Sequence, residues 1–377
     1  MTGAAMTFWL SLLLVAYTYA GFPLLATWLA RWRGTSPRES SQFPPLTVVV
    51  AAYNEEARIA ARVRDILAQD YPPERLQVLV VSDGSTDATA QRAQIGDARV
   101  RVLALESNRG KACALNAALE HVETGLVAFT DVRQRYGASA LRRLVAPFSD
   151  PTVGVVSGEL VIGSDNRGAS GEGVGLYWRM EKALRFAEAR LGWLHGVSGA
   201  VYAMRRDLFR PLPAGTVLDD MWTPLQAILQ GRRVWMARDA IAYDQPSGHS
   251  REEFDRKLRT LAGNWQLIMR LPVLLHPRRN PVFVAWVSHK LLRLVAPWAL
   301  LVALASAALA EGELYRWAFW LQLLAYGWAV LGLILPRLAA RIPLLPAAGA
   351  FVMLNLAALF SLPASLAWDP ARLWKKH

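Results

Sequence analysis

From Met1 to Ala30 the chain carries no charged side chain. Three more apolar stretches come late: Leu294 to Ala310, Trp317 to Pro336 and Ile342 to Trp368. A helix needs roughly 20 apolar residues to cross the hydrocarbon core of a bilayer. Each stretch therefore predicts a spanning helix, and Trp and Tyr near their ends fit the interfacial layers. The Leu294 stretch reaches that length by extending back through Val282 to Val287, with Lys290 and Arg293 snorkelling to the headgroups alongside His289. The first stretch has no positive residue at its start and is too long for a cleaved signal peptide, so it predicts an uncleaved anchor.

Between these stretches the pattern changes period. Residues 35 to 45 are rich in Ser and Pro and read as a linker. LTVVVAA (46 to 52) is a short β-branched run of the kind that forms a buried parallel strand. Helical spacing follows over 55 to 69. Gln77 to Ser82 predicts a second strand, and DGSTDAT opens a helix after it. Val100 to Leu105, Lys111 to His121 and Leu126 to Thr130 continue as strand, helix and strand. This rhythm predicts an α/β fold with a doubly wound, mostly parallel sheet. The expected organisation is a spanning helix over 1–30, a linker over 31–45, a domain over 46–270 with halves 46–135 and 136–270, and three spanning helices over 282–368.

Composition adds orientation. The net charge is +12, from 42 Lys and Arg against 30 Asp and Glu. Arg31, Arg33 and Arg38 follow the first span, Arg278 and Arg279 precede the second, and Arg337 and Arg341 sit in the next short loop. The positive-inside rule puts these loops in the cytosol and Glu311 to Glu313 outside, which accounts for the basic balance without a nucleic-acid partner. Lys375 and Lys376 run against an outside C-terminus. The single cysteine, Cys113, excludes an internal disulfide and reads as a small buried hydrophobe.

Ligands of open α/β sheets bind beyond the carboxyl ends of the strands. Tyr53-Asn54-Glu55, Asp83, Asn108 to Lys111 and Asp131 all fall there. Each has a plainer reading as a turn, a cap or a solvated charge; their convergence on one edge favours function. Asp219 and Asp220 open the helical run MWTPLQAILQG, where acids also suit a first turn. Arg256 and Arg259, at i and i+3, share a helix face and suit an anion as guanidinium forks. His195 and His249 have loop settings and read as structural, with His195 a secondary acceptor-site candidate. Trp265, Leu267 and Ile268 suit either the interface or core packing.

In order, VVVAAYNEE, VVSDGSTDAT, NRGKACALN, FTDVRQRY, HGVSGAVYAMRR, TVLDDM and RKLRTLAG resemble the motifs of the family-2 glycosyltransferases over about residues 46 to 266. With the flanking spans, the chain resembles the membrane-bound cellulose, chitin and hyaluronan synthase group. The resemblance implies a GT-A fold and inverting transfer from a nucleoside-diphosphate sugar, most commonly a UDP-sugar, to a membrane lipid or lipid-linked glycan. It implies that Tyr53, Glu55, Asp83, Lys111, Asp131 and Arg133 face the donor, that Gly199 lies in the acceptor segment, and that Asp220, beside Asp219, is the general base. Arg256 and Arg259 would meet diphosphate or acceptor. The location implied is the cell membrane, with the catalytic domain cytosolic.

Two positions depart from that pattern. The DxD place reads Asp131-Val132-Arg133, so Mg2+ or Mn2+ is held by Asp131 and phosphate oxygens alone, or Arg133 itself helps neutralise the diphosphate. At the QxxRW place Arg256 replaces Gln and Thr260 replaces Trp, which removes a stacking face and favours adding one or few sugars over processive synthesis. A third reading, from another class, is a non-catalytic membrane assembly or export partner that keeps a degenerate transferase domain.

Overall fold

The computed structural model describes residues 2–163, 172–245, 250–335, 342 and 344–367. His249, Arg337, Arg341, Trp368, Lys375 and Lys376 lie outside the described residues.

The β-branched runs pair as their composition predicts. Strands β1 (Leu46–Ala52), β2 (Leu76–Asp83), β3 (Val100–Leu105) and β4 (Leu126–Thr130) lie parallel in the order β3-β2-β1-β4. Helices α2 (Ile59–Leu67), α3 (Thr89–Ala93) and α4 (Lys111–Glu120) connect them. β1 is almost wholly buried, as a strand covered on both faces must be. Register sets the chemistry: Ala52 stands opposite Ser82 and Val50 opposite Thr130, so Tyr53, Asp83 and Asp131 leave the sheet side by side.

The second half was less legible. After β5 (Arg135–Tyr136) and α5 (Ala140–Val145) come β6 (Val153–Ile162), α6 (Glu172–Leu191), β7 (Tyr202–Arg205), α7 (Asp219–Leu229), β8 (Arg233–Asp244) and α8 (Ser250–Arg270). These strands extend the sheet to β3-β2-β1-β4-β7-β6-β8-β5. β7 runs antiparallel to β4 and β6, and β5 antiparallel to β8, while β6 and β8 pair parallel, so the second half of the sheet is mixed.

Among the described residues, four helices are long and apolar enough to cross a membrane: α1 (Gly3–Arg33), α9 (Phe283–Leu309), α10 (Glu313–Ile334) and α11 (Leu345–Ala367). They carry large apolar side chains outward, including Leu13, Leu24, Trp28, Leu309, Trp317 and Leu324. Water would disfavour such a surface and lipid would not. Helices α1 and α9 each contain a widened π turn, over Tyr17–Gly21 and Val287–Leu291, and meet there through Tyr17 Oη and Ser288 Oγ at 2.9 Å. Phe22 and Ala26 of α1 pack with Leu184 of α6 and Ala285 of α9, tying the apolar helices to the α/β domain. Residues 34 to 45 form no helix or strand, yet Thr35 N donates to Arg190 O and Ser40 N to Ala146 O, so the segment is pinned to the domain.

Three expectations need correction. His289 and Arg293 do not reach for headgroups: His289 is 1% exposed and both residues bond acids of α6. Cys113 is half-buried rather than buried. Trp265 is half-buried and does not join the sheet core; its indole N–H donates to Ser361 of α11 at 3.0 Å, while Leu267 joins the domain core.

Candidate active site

The loops after β1 and β2 are latched to one another. Asn54 adopts a left-handed backbone (φ 51°), a conformation Asn tolerates, and its Oδ1 accepts from Thr86 N at 2.9 Å. Glu55 N donates to Thr89 Oγ1 at 2.7 Å, and Glu55 pairs with Arg58 at 3.3 Å. Tyr53 is half-buried beside them. Asp83 is 1% exposed and spends both carboxylate oxygens on backbone: Oδ1 accepts from Arg109 N at 3.0 Å and Oδ2 from Gly110 N at 2.8 Å. Its immediate effect is to hold the loop before Lys111. Gly84, at φ 62°, lies so close to Ser107 and Asn108 that a Cβ would come within 2.2 Å of their backbone.

Lys111 is the hub. Its Nζ lies 2.9 Å from Asp131 Oδ1 and 3.0 Å from Asp219 Oδ2. It therefore joins the sheet edge after β4 to the first turn of α7. Burial alone would push the ammonium down, but Asp131 and Asp219 together hold it well above its ordinary range. Asp220 follows Asp219 in the same turn. Burial pushes its carboxyl up to about 6, and the neighbouring Asp219 charge adds to this while Lys111 opposes it. Asp220 O accepts from Val197 N at 3.0 Å, and its Oδ2 lies 3.6 Å from where a Cβ on Gly199 would stand. The segment around Gly199 and the acid pair are thus in contact, with no side chain on Gly199 to separate them.

Arg133 turns elsewhere. Its Nη2 donates to Asp244 Oδ2 at 2.6 Å, the same oxygen that Gln134 Nε2 reaches at 2.9 Å. Asp131 keeps 42% of its side chain exposed, and among the described residues its Oδ2 has no hydrogen-bond donor. That leaves one carboxylate oxygen for a divalent ion, which suffices for Mg2+ or Mn2+ when phosphates supply further oxygens.

Helix α8 packs behind the acids. Gly263 touches the turn: a Cβ there would stand 2.6 Å from Leu218 Cγ, the residue just before Asp219. Gln266 Oε1 accepts from Val217 N at 3.0 Å. Leu258 and Ala262 pack on Ala357 and Ala364 of α11. So α8 couples an apolar helix to the acid turn. Arg256 pairs with Glu253 at 2.5 Å, and Arg259 and Thr260 are exposed on α8.

The chemistry now has a family. A model of glycosyl transferase family 2 matches residues 47–212. An N-acetylglucosaminyltransferase of Rhizobium leguminosarum is 32% identical over 128 residues, 33% of this chain and 70% of that one. The chain belongs to glycosyl transferase family 2. A beta-monoglucosyldiacylglycerol synthase of Synechocystis is 28% identical over 198 residues, 50% of this chain and 41% of the relative. This family-2 chain therefore spans less than half the length of that relative. A mannosyltransferase from Pyrobaculum calidifontis, solved with GDP-Man and Mn2+, superposes with a TM-score of 0.73 at 24% identity, covering 96% of this chain and 99% of that one. That likeness shows a shared GT-A fold.

Several residues at this edge, and some away from it, were not anticipated. Arg62 is buried, bonds Asp65, donates to Thr130 Oγ1 at 2.5 Å and stacks 4.0 Å from the Tyr136 ring, bracing the strand end before Asp131. Asp244 is 111 residues from the Arg133 it holds. Tyr202 is fully buried, and burial together with the Asp219 charge pushes its phenol well up. Glu181 and Glu188 carried a usable signal: seven positions apart, they share one face of α6.

Proposed function

We propose that the chain is a membrane-embedded inverting glycosyltransferase that moves a sugar from a nucleoside-diphosphate sugar to a lipid or lipid-linked glycan at the cytosolic face. The observation that carries this reading is Lys111 held between Asp131 and Asp219, with Asp220 next in line at a carboxyl pKa of about 6. A general base works best with a pKa near the working pH. In this reading Asp220 takes the acceptor hydroxyl proton as the oxygen attacks the anomeric carbon. The bond from that carbon to the β-phosphate oxygen breaks on the opposite face, and the diphosphate leaves. One base and no enzyme nucleophile give inversion.

Tyr53, Glu55 and Asp83 line the donor edge, Asp83 by fixing the loop that presents Lys111. Mg2+ or Mn2+, held by Asp131, would supply positive charge to the departing diphosphate. Arg133 is committed to Asp244 and serves to anchor that edge. Arg256 and Arg259 remain the basic face toward diphosphate or acceptor. Support for a nucleotide-sugar donor comes from the family and from the GDP-Man-bound neighbour; support for a lipid acceptor comes from the glucosyldiacylglycerol synthase relative and the coupling of α8 to α11. A UDP-sugar is the first donor to try, and a GDP-sugar the second. The basic loops favour a cytosolic domain.

A processive synthase is the second reading. Thr260 is exposed and offers no stacking face, which favours one or few additions. Product length with a radiolabelled donor separates the two. Asp220→Asn tests the base: binding of donor with loss of turnover supports the assignment, and undiminished turnover refutes it. Full activity after complete removal of divalent ions would sink the metal at Asp131. A degenerate, non-catalytic assembly partner predicts no turnover of any nucleotide sugar.

A further inference from the structure

Away from Asp131, Glu188 of α6, His195 of the loop after it and His289 of α9 meet in a buried junction. They are 0%, 1% and 1% exposed, and one potential ligand atom from each lies within 4.8 Å of the others. The proposed reaction uses none of them.

Hydrogen-bond chemistry constrains this cluster. His289 Nε2 lies 2.9 Å from Glu181 Oε1 and His289 Nδ1 lies 2.7 Å from Glu188 Oε1. Carboxylates only accept, so without a further cation the imidazole must donate from both nitrogens. His195 Nδ1 lies 3.1 Å from Trp193 O, a carbonyl that can only accept; His195 Nδ1 is therefore the donor and its lone pair sits on Nε2. Among the described residues, Glu188 Oε2 is buried and has no hydrogen-bond partner. A buried carboxylate oxygen without a donor is costly, and a bound ion removes that cost.

We propose that Glu188, His195 and His289 form a second metal site, for a borderline divalent ion of the Zn2+ class, separate from the donor edge. Two imidazoles and a carboxylate are a ligand set Zn2+ takes, with a fourth position for water. Outer-shell partners are already in place. Glu181 accepts His289 Nε2–H and is itself held by Arg293 at 3.0 Å, while Trp193 O accepts His195 Nδ1–H. Ligating histidines ordinarily have such partners. Binding replaces the proton on His289 Nδ1, which leaves to solvent, by the metal. Ligand atoms around tetrahedral Zn2+ stand about 3.3 Å apart, so side-chain movements of about 1.5 Å close the site. The ion would clamp α6, the acceptor-side loop and the apolar helix α9 together, two residues upstream of Val197, which bonds Asp220.

The test uses the full chain, purified in detergent, stripped with chelator, loaded with Zn2+ or Co2+ and desalted. One Zn2+ is expected to stay on each chain, with visible absorption typical of tetrahedral Co2+ in the Co2+ form. His289→Gln should weaken retention by at least ~10-fold, and Glu181→Gln by ~10–100-fold. Asp131→Asn should retain the ion, since it touches only the donor edge. An ion lost in Asp131→Asn and kept in His289→Gln would overturn the proposal. Thermal unfolding of the unaltered protein guards against variants that fail to fold. A higher apparent Tm with Zn2+ supports the site; an unchanged Tm and no Co2+ spectrum overturns it without any substitution.

Discussion

Replacing Asp220 by Asn should stabilise this protein while abolishing its reaction, and the stabilisation should grow with pH. The carboxyl of Asp220 is raised from 3.8 to about 6 because it is buried beside Asp219. The folded chain therefore holds this proton more tightly than the unfolded chain. The stability it confers is full below the unfolded pKa near 3.8 and is lost as pH rises through about 6. Above that, keeping the carboxylate charged costs the fold about 3 kcal/mol, from about 2 pH units at ~1.4 kcal/mol each. Asn is neutral throughout and avoids the cost. The variant should match the unaltered protein near about pH 4 and exceed it by ~3 kcal/mol above about pH 7. For a chain of this size that is about 3–6 °C in apparent Tm. Melting both proteins in detergent at several pH values checks it. A gain that is flat with pH, or that shrinks toward alkaline pH, would refute the burial argument and with it the poised base.

Further outcomes follow from the same geometry. For the unaltered enzyme, kcat/KM should fall on the acid side with an apparent pKa near 6, read from a pH–rate profile of sugar transfer. Lys111→Met leaves Asp219 buried without its cation; it should cost about 3–5 kcal/mol in denaturant unfolding and shift the acid limb of that profile upward. Gly263→Val should displace Leu218 and the acid turn, losing about 1–3 kcal/mol and lowering kcat while donor binding by calorimetry stays near normal. Arg133→Ala removes one of three donors to the Asp244 carboxylate from an exposed position; the expected loss is at most about 1 kcal/mol, with the metal requirement unchanged in a chelator titration.

The first half of the fold was legible because its signals are local. β-branched runs separated by helical spacing fix β1 to β4, and register alone brings Tyr53, Asp83 and Asp131 to one edge. The apolar helices were legible from length and charge. What stayed hidden depends on contacts remote in sequence. Nothing near Arg133 announces Asp244, and nothing near His289 announces Glu188, 101 residues away. The basic group at His289 to Arg293 looked like headgroup anchoring because snorkelling is the common fate of such residues at a span's end; acids on α6 claim two of them instead. Gly263 was found through a motif, but its reason, the press of Leu218 on the helix backbone, emerges only from packing. The antiparallel β7 follows no local signal either, since its neighbours β4 and β6 are set by the path of the chain.

The proposed reaction is transfer of sugar from a nucleotide donor at a membrane. Its most direct test incubates the purified full chain with radiolabelled UDP- and GDP-sugars and membrane lipid, then partitions the products between water and organic solvent. One donor should be consumed, label should enter the lipid-soluble fraction, and Asp220→Asn should stop this while still binding the donor. No consumption or binding of any nucleotide sugar, or equal transfer by Asp220→Asn, would contradict it.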